Sequence, residues 1–352
     1  MKRISLLLCS LLVVTSLTAQ LQKKFEPLDV FQLEYAGDPQ ISPDGAHVIY
    51  RRTGFDIMKD RAVGDLWIVN IEDKKKHHKL TALEGSERSA RWSPSGDRVA
   101  FVRSTEEGSE IYVYWMESGA MAKLTQLDGS PSSLTWSPDG TQLAFSMKVK
   151  SKPPVLAKMP SKPKGAKWAK SPRITDRLKH EADGAGYIAP GFNHLFTIPA
   201  EGGSPRQLTD GERNYRGSLS WSPDGQNIVF AHFSDAWSLY SVEADGTEVT
   251  ALEEAGDGWQ PSWSGSGDQI AFSSQRDGSW NIYVADADGG NLVRLTNNEG
   301  DNLEPVWSPD GDRIAFGSSR QGAFKIFVMD SDGGNVVATG RMGFPSGWTA
   351  RP

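Results

Sequence analysis

The tetrapeptide Ser-Pro-Asp-Gly, or a close variant of it, occurs six times in this chain of 352 residues. The copies begin at Ser42, Ser93, Ser137, Ser222, Ser264 and Ser308. Successive gaps are 51, 44, 85, 42 and 44 residues, and the gap of 85 contains one further period together with a long insertion. A repeat of about 40–45 residues without helical periodicity is typical of a β-propeller whose blades each have four strands.

The last repeat shows how the sequence specifies one blade. After Ser308, proline presets φ for the first turn position and glycine adopts the left-handed conformation, so the tetrapeptide forms a tight turn. The apolar runs 313–317 and 324–328 indicate two buried strands, and the Asp-Gly-Gly turn at 332–334 leads to an outer strand. We therefore predict an all-β fold: a closed six-bladed β-propeller of four-stranded antiparallel blades, spanning residues 20–352.

Two features bear on how the ring closes. Residues Phe25 to Glu34 are expected to add an outer strand to the last blade. Trp348 follows Trp307 by 41 residues, where a seventh blade would begin, so seven blades are the alternative.

A large aromatic residue precedes the turn in five of the six repeats. We expect these side chains to pack between neighbouring blades rather than to stack on a ligand, because one flat ring recurs at one fixed position. The first repeat has Ile41 at this position, and the other five have Trp92, Trp136, Trp221, Trp263 and Trp307.

The N-terminus has the pattern of a secretory signal peptide covering residues 1–19. Lys2 and Arg3 precede an apolar stretch, and Ala19 ends it with a small residue suited to cleavage. The apolar stretch is short for a membrane span, so we expect a periplasmic or secreted protein without a membrane span after leader removal. The only cysteine, Cys9, lies in the leader, so the mature chain is expected to have no disulfide and no thiolate chemistry.

Charge is concentrated in one segment. The chain has 38 basic and 44 acidic residues, a net charge of −6, which argues against nucleic acid as a partner. Residues 148–179 nevertheless contain eleven lysines and arginines against one acid, with prolines that favour an extended loop. This basic insertion, about 148–190, is expected between the second and third strands of blade three. A shorter insertion, Gly54 to Gly64, is expected at the equivalent place in blade one.

Long loops on one rim of a rigid scaffold are common binding sites. We therefore predict that a protein or peptide partner binds the basic insertion, and a solvated insertion without a role is the alternative. The candidate partner-binding residues are Lys162, Lys164, Lys167, Trp168, Lys170, Arg173 and Tyr187.

The repeat motifs also carry a family resemblance. The order Trp-Ser-Pro-Asp-Gly, Ile-Ala-Phe, Ile-Tyr-Val, Asp-Gly-Gly and Leu-Thr resembles the propeller repeat of TolB, and residues 263–296 are nearly a consensus copy. The first 250 residues are more similar to the propeller of the acylaminoacyl-peptidase branch of the prolyl oligopeptidase family, as in the stretches 29–31, 38–45 and 165–168. The TolB resemblance implies protein partners at the cell envelope, and the peptidase resemblance implies a propeller that gates access to a catalytic domain.

The motifs of catalysis are missing from the sequence. A serine hydrolase of the oligopeptidase type needs Gly-x-Ser-x-Gly followed by an aspartate and a histidine, but no such pentapeptide occurs and the last histidine is His232. The Asp-x-Asp-Gly stretches at 286–289 and 330–333 lack the further ligands of a helix–loop–helix calcium site and are interpreted as hairpin turns. We predict no catalytic, cofactor or metal site.

These observations predict an exported, non-enzymatic binding or scaffold propeller, monomeric by default. The alternative is the propeller portion of a prolyl oligopeptidase family peptidase, either truncated or degenerate.

Overall fold

The computed structural model describes residues 24–81, 84–151, 160–169, 178, 180–183, 186–233, 236–297 and 299–348. These residues form six four-stranded antiparallel sheets, the blades, which confirms the predicted all-β six-bladed propeller. The inner strand of each blade comes first in sequence and the outer strand last.

The strand bounds of the first three blades are as follows. Blade one consists of β1 (Tyr35–Ile41), β2 (His47–Asp56), β3 (Arg61–Asn70) and β4 (His77–Lys79). Blade two consists of β5 (Ser86–Trp92), β6 (Arg98–Ser104), β7 (Ser109–Trp115) and β8 (Met121–Lys123). Blade three consists of β9 (Ser132–Trp136), β10 (Gln142–Lys150), β13 (Gly191–Pro199) and β14 (Arg206–Gln207), with the small hairpin β11 (Glu181–Ala182) and β12 (Gly186–Tyr187) inside its insertion.

The last three blades follow the same plan without a long insertion. Blade four consists of β15 (Tyr215–Trp221), β16 (Asn227–Phe233), β17 (Trp237–Glu243) and β18 (Val249–Ala251). Blade five consists of β19 (Gly258–Trp263), β20 (Gln269–Ser274), β21 (Asn281–Asp286) and β22 (Val293–Arg294). Blade six consists of β23 (Asn302–Trp307), β24 (Arg313–Ser318), β25 (Lys325–Asp330) and β26 (Val337–Met342).

The recurring tetrapeptide joins the first and second strands of each blade. In blade three the Ser137 hydroxyl donates to Asp139 Oδ1 at 2.6 Å and accepts the Gln142 N–H at 2.9 Å. Gly140 has φ of +70°, which a residue with a side chain rarely adopts. The motif therefore recurs because its serine, its aspartate and its glycine are all used within the turn itself.

A Leu-Thr pair at the end of four of the six repeats attaches the outer strand. In blade five the Leu295 N–H donates to the Ile282 carbonyl at 2.9 Å, and the Ile282 N–H donates to Thr296 Oγ1 at 2.9 Å. The same pairing recurs between Leu208, Thr209 and Leu195 in blade three. A short outer strand is thereby held without a long hydrogen-bond ladder.

Apolar cores lie between consecutive blades, as the position of the tryptophans predicts. Trp136, Trp221 and Trp307 are buried, and each lies in a cluster that joins its own blade to the preceding one. Trp92 and Trp263 are partly buried against the equivalent clusters. Blades one to six are thus joined by five successive cores.

The inner strands share one irregularity that shapes the central channel. A β-bulge interrupts their pairing and places a non-glycine residue in the left-handed region in five of the six blades. These residues are Asp38, Ser89, Ser133, Gln260 and Glu304, with φ between +48° and +56°. Four of them line the channel, which encloses about 960 Å³.

Two local predictions differ from the structure. Residues Phe25 to Glu34 do not form an outer strand of the last blade: they contain a 3-10 helix, Pro27–Gln32, which lies against β2. Pro27 begins this helix and Asp29 accepts the Glu26 N–H, a combination that favours a helical turn over a strand. Residues 54–64 lie between the second and third strands of blade one, as predicted, but they extend the β2–β3 hairpin instead of forming a loop, and Gly54 pairs with Val63.

The ring does not close by direct contact between its first and last blades. Among the described strands, none of blade six has a Cα atom within 8 Å of a strand of blade one, so the predicted closed ring is wrong in this respect. Instead, residues 343–348 follow β26 along the channel wall, and the indole N–H of Trp348 donates to the Val306 carbonyl at 2.9 Å.

Candidate binding surface on the loop rim

The basic insertion emerges from one rim of the propeller. The second and third strands of every blade are joined on this side, and we call it the loop rim. β10 and β13 pair continuously from Gln142–Pro199 to Lys150–Gly191, and the Ser151 N–H then donates to the Pro190 carbonyl at 3.1 Å. The insertion is therefore residues 151–190, and its two ends lie side by side.

The described residues of the predicted partner-binding set lie at the surface of this insertion. Lys162, Lys164 and Lys167 are exposed, and the Trp168 side chain is 45% exposed. Tyr187 is partly buried in β12, opposite Glu181. Lys170 and Arg173 lie outside the described residues.

A row of four aromatic rings lies on the loop rim of blades four and five. Phe233 ends β16 and contacts Trp237 at the start of β17, with ring centroids 4.9 Å apart. Trp237 stacks on Trp259 at 5.4 Å and 23°, and Trp259 contacts Trp280 at 5.5 Å. We call Phe233, Trp237, Trp259 and Trp280 the aromatic row. It crosses from one blade to the next, because Trp259 and Trp280 belong to blade five.

Trp259 connects this row to the central channel. Its ring lies beside Gly217 of blade four, where an added Cβ would be 3.4 Å from the indole nitrogen. Gly217 also has φ of +96°, so a residue with a side chain would be strained here. The Trp259 indole N–H is buried and meets no acceptor among the described residues, although buried polar groups are ordinarily paired.

A polar hollow of about 530 Å³ adjoins the row and shares Phe233 with it. The imidazole of His232 contacts the ring of Tyr240 here at 5.7 Å. Burial, together with the positive charge of Arg213, lowers the pKa of His232, so its imidazole is neutral at pH 7. The other lining residues are Glu212, Asn214 and Ser238.

The base of the insertion contacts this hollow. Asn214 Oδ1 accepts the Asn193 backbone N–H at 3.1 Å and the Asn193 side-chain amide at 3.2 Å. Asn193 lies in β13, three residues after the insertion ends, and Asn214 lines the hollow. The insertion base, the hollow and the aromatic row therefore form one continuous surface.

Sequence reasoning did not identify the aromatic row. The predicted aromatic contacts involve only the tryptophan before each turn and Trp168 in the insertion. A usable signal is present, because Trp237 and Trp280 are 43 residues apart, one repeat length, and so occupy the same position in consecutive blades.

The aspartates of the two Asp-x-Asp-Gly turns accept hydrogen bonds from the backbone of the same turns. Asp288 Oδ1 accepts the Gly290 N–H at 2.9 Å, and Asp332 Oδ1 accepts the Gly334 N–H at 2.8 Å, as in hairpin turns. Among the residues that the structure describes, no group of three or more His, Cys, Asp or Glu side chains is placed to hold a metal ion. Within the same residues, no helix has the length and apolar character needed to cross a membrane.

Comparison with known proteins identifies the repeat. The sequence description of the TolB beta propeller domain matches residues 34–265 and 194–350. The chain is 23% identical over 206 residues to the uncharacterized peptidase YuxL of Bacillus subtilis, an alignment covering 58% of this chain and 30% of that protein. The chain spans about a third of the length of the curated relatives it matches.

Solved structures show the same fold. A putative TolB from Agrobacterium tumefaciens superposes with a TM-score of 0.54 at 21% identity, covering 88% of this chain and 94% of that one. The acylaminoacyl peptidase of Pyrococcus horikoshii superposes with a TM-score of 0.64 at 16% identity, covering 88% of this chain and 46% of that one. At such identities the likeness concerns the fold alone.

Proposed function

We propose that this chain, which belongs to the TolB β-propeller domain family, binds a protein or peptide partner in the cell envelope and performs no chemistry of its own. The aromatic row is the observation that carries this proposal. Aromatic side chains supply most of the binding energy at many protein interfaces, because they bury a large area at a small cost in conformational entropy.

Two features favour a polypeptide as the ligand of this surface. The row offers flat apolar contact, and the adjoining hollow offers Arg213 and the Tyr240 hydroxyl. An extended peptide has apolar side chains and backbone carbonyls in alternation, which suits such a mixed surface.

The basic insertion adds long-range attraction. Residues 148–179 carry eleven basic groups against one acid, whereas the rest of the chain has 27 basic and 43 acidic residues. A partner with an acidic face is steered towards the insertion, and its association rate falls as salt is raised. Lys162, Lys164, Lys167, Trp168, Lys170, Arg173 and Tyr187 remain the residues proposed to contact it.

The test separates the two parts of this surface. In one variant residues 152–189 are replaced by Asn-Gly, which closes the adjacent ends of β10 and β13 with a two-residue turn. In another, Trp237 and Trp280 are both replaced by alanine. Trp115→Ala, at the opposite rim, is the matched control. Partners captured from envelope extract are quantified by mass spectrometry at low and high salt, after circular dichroism confirms folding.

We expect the double tryptophan variant to lose the captured partner and the shortened variant to retain it with weaker salt dependence. Trp115→Ala should capture as much as the wild type. If the double variant and the wild type recover the same partners in equal amounts, the proposal is wrong.

A second candidate function rests on the likeness to acylaminoacyl peptidase, of which this chain matches 46%. In that role the propeller controls peptide access to a hydrolase domain. The aromatic row would then contact peptides on their way into the channel.

A further inference from the structure

A polar residue occupies the same place in the inner strand of every blade. This place lies four residues before the serine of each turn, within the β-bulge, and none of the six residues there is basic. Five of the six line the central channel, and Ser89 is the exception. The six residues are Asp38, Ser89, Ser133, Ser218, Gln260 and Glu304. This level of the channel therefore carries two carboxylates and no cation of its own.

The two carboxylates of the channel differ in their partners. Asp38 accepts hydrogen bonds from Arg91 Nη1 of blade two on both of its oxygens, at 3.0 and 3.1 Å. Asp38, Arg91 and Glu304 are the only charged residues among the described residues that line the channel. Residues 343–346 complete its wall and carry no charged side chain. Because Arg91 is bound to Asp38, Glu304 has no cation as a partner among the described residues.

Gln260 of blade five holds the Glu304 carboxylate in one orientation. Its side-chain amide donates to Glu304 Oε1 at 2.8 Å. The amide oxygen of Gln260 accepts the Glu304 backbone N–H at 3.1 Å and the Ser273 hydroxyl at 3.2 Å, and Gln260 is only 8% exposed. The amide is thus fixed by its own partners and occupies one carboxylate oxygen. Among the described residues, no group donates a hydrogen bond to the other oxygen, Oε2.

The chemistry of this position favours one class of ligand. A partly buried carboxylate without a cation is costly, and a cationic ligand offsets that cost. A guanidinium binds best through both carboxylate oxygens, but Gln260 already occupies Oε1 of Glu304. A primary ammonium is compact and has three donors, so it can bond to Oε2 and to a hydroxyl of the channel wall such as that of Ser218. Val306, in the same strand as Glu304, is partly exposed in the channel and offers apolar contact to an alkyl chain.

We propose that the channel binds a primary ammonium group carried on an alkyl chain, with the Glu304 carboxylate as its counter-ion and Gln260 as the residue that positions this carboxylate. The channel encloses about 960 Å³, which leaves room for the alkyl chain and the molecule that bears it. The binding groups belong to the inner strands of blades five and six, inside the channel. The site is therefore separate from the aromatic row, and it does not depend on what lies against either rim.

The probes are 1,5-diaminopentane and Nα-acetyl-lysine amide, which carry the same alkylammonium group on a free diamine and on an amino acid. Their neutral counterparts are 1,5-pentanediol and Nα-acetyl-norleucine amide. Saturation-transfer-difference NMR at pH 7 gives the dissociation constant of each compound for the full chain. The channel variants are Glu304→Gln and Asp38→Asn, each of which removes one negative charge. Glu299→Gln is the matched control, because this carboxylate of the same blade pairs with Arg320 and does not line the channel.

We expect saturable binding of an ammonium probe and no binding of its neutral counterpart. Glu304→Gln should weaken the binding about tenfold or more, because it removes the counter-ion, whereas Asp38→Asn should weaken it about threefold or less. Glu299→Gln should bind like the wild type. Tighter binding of Nα-acetyl-lysine amide than of the diamine assigns the site to a lysine side chain, and the reverse order assigns it to a free amine. Absence of saturable binding, equal binding of the neutral counterparts, or equal weakening by Glu304→Gln and Asp38→Asn overturns the proposal.

Discussion

The indole N–H of Trp136 donates a hydrogen bond to the backbone carbonyl of Arg91 across the boundary between blades three and two, at 3.0 Å. The ring is 93% buried, since only 7% of its surface is exposed, and Arg98 of blade two lies over its face. One side chain therefore supplies apolar contact, a hydrogen bond and a cation–π contact to the same interface.

Replacing Trp136 by alanine should lower the free energy of unfolding by about 3–5 kcal/mol, because it leaves a cavity between two blades. Urea unfolding followed by circular dichroism measures the change. Trp168→Ala, which removes an exposed ring of the insertion, should stay within about 0.5 kcal/mol of the wild type. Similar losses for the two variants would contradict the assigned role of Trp136.

The turn motif predicts a graded effect of serine removal. Ser222→Ala should cost about 1.5–3 kcal/mol, because the Ser222 hydroxyl accepts the Asn227 N–H at 2.9 Å and donates to the charged Asp224 carboxylate. Ser264→Ala should cost about 0.5–1.5 kcal/mol, because the Ser264 hydroxyl pairs with the neutral Ser266 hydroxyl. Equal costs in urea unfolding would show that the aspartate contributes nothing to the turn.

Glu304 should make stability depend on pH. Burial raises the pKa of Glu304 above the ordinary glutamate value, although the Gln260 amide donates to its carboxylate at 2.8 Å. The folded state therefore holds this proton more tightly than the unfolded state, and stability declines as pH rises through the folded-state pKa. The free energy of unfolding of Glu304→Gln, relative to that of the wild type, should therefore be higher at pH 7 than at pH 4. An effect of Glu304→Gln on the urea midpoint that is the same at both pH values would rule this out.

A fluorophosphonate probe distinguishes the two functional candidates. Purified chain should not be labelled, because its sequence has no Gly-x-Ser-x-Gly motif and no histidine after His232. An active serine peptidase labelled in parallel checks the reagent. Stoichiometric labelling of one serine of this chain would show that it is a serine hydrolase and would contradict the binding proposal.

The sequence allowed the repeated local structure to be predicted in detail. The turn at Ser137 could be predicted because its residues interact within five positions of one another. The packing position of Trp136 could be predicted because a large aromatic residue recurs at the same place in five of the six repeats. The four-stranded blades and the place of the insertion follow from the spacing of those motifs.

The aromatic row and the missing contact between blades six and one could not be predicted in the same way. The row depends on Trp237 of blade four meeting Trp259 of blade five, and this contact is set by the angle between two blades. Whether blades one and six meet depends on the relationship between the two blades that are farthest apart in the sequence. The sequence shows isoleucine at position 41, where the other five repeats have tryptophan, but it does not show that the Ile41 side chain is exposed.

The side-by-side ends of the insertion at Ser151 and Pro190 have a consequence for how this protein can change over generations. Because β10 and β13 remain paired up to that point, segments of very different length can replace the insertion without altering the blade. Each doubling of loop length costs only about 0.6 kcal/mol in closure entropy. Blade three is thus a place where descendants of this gene can acquire, exchange or lose whole recognition elements while keeping the scaffold that presents them.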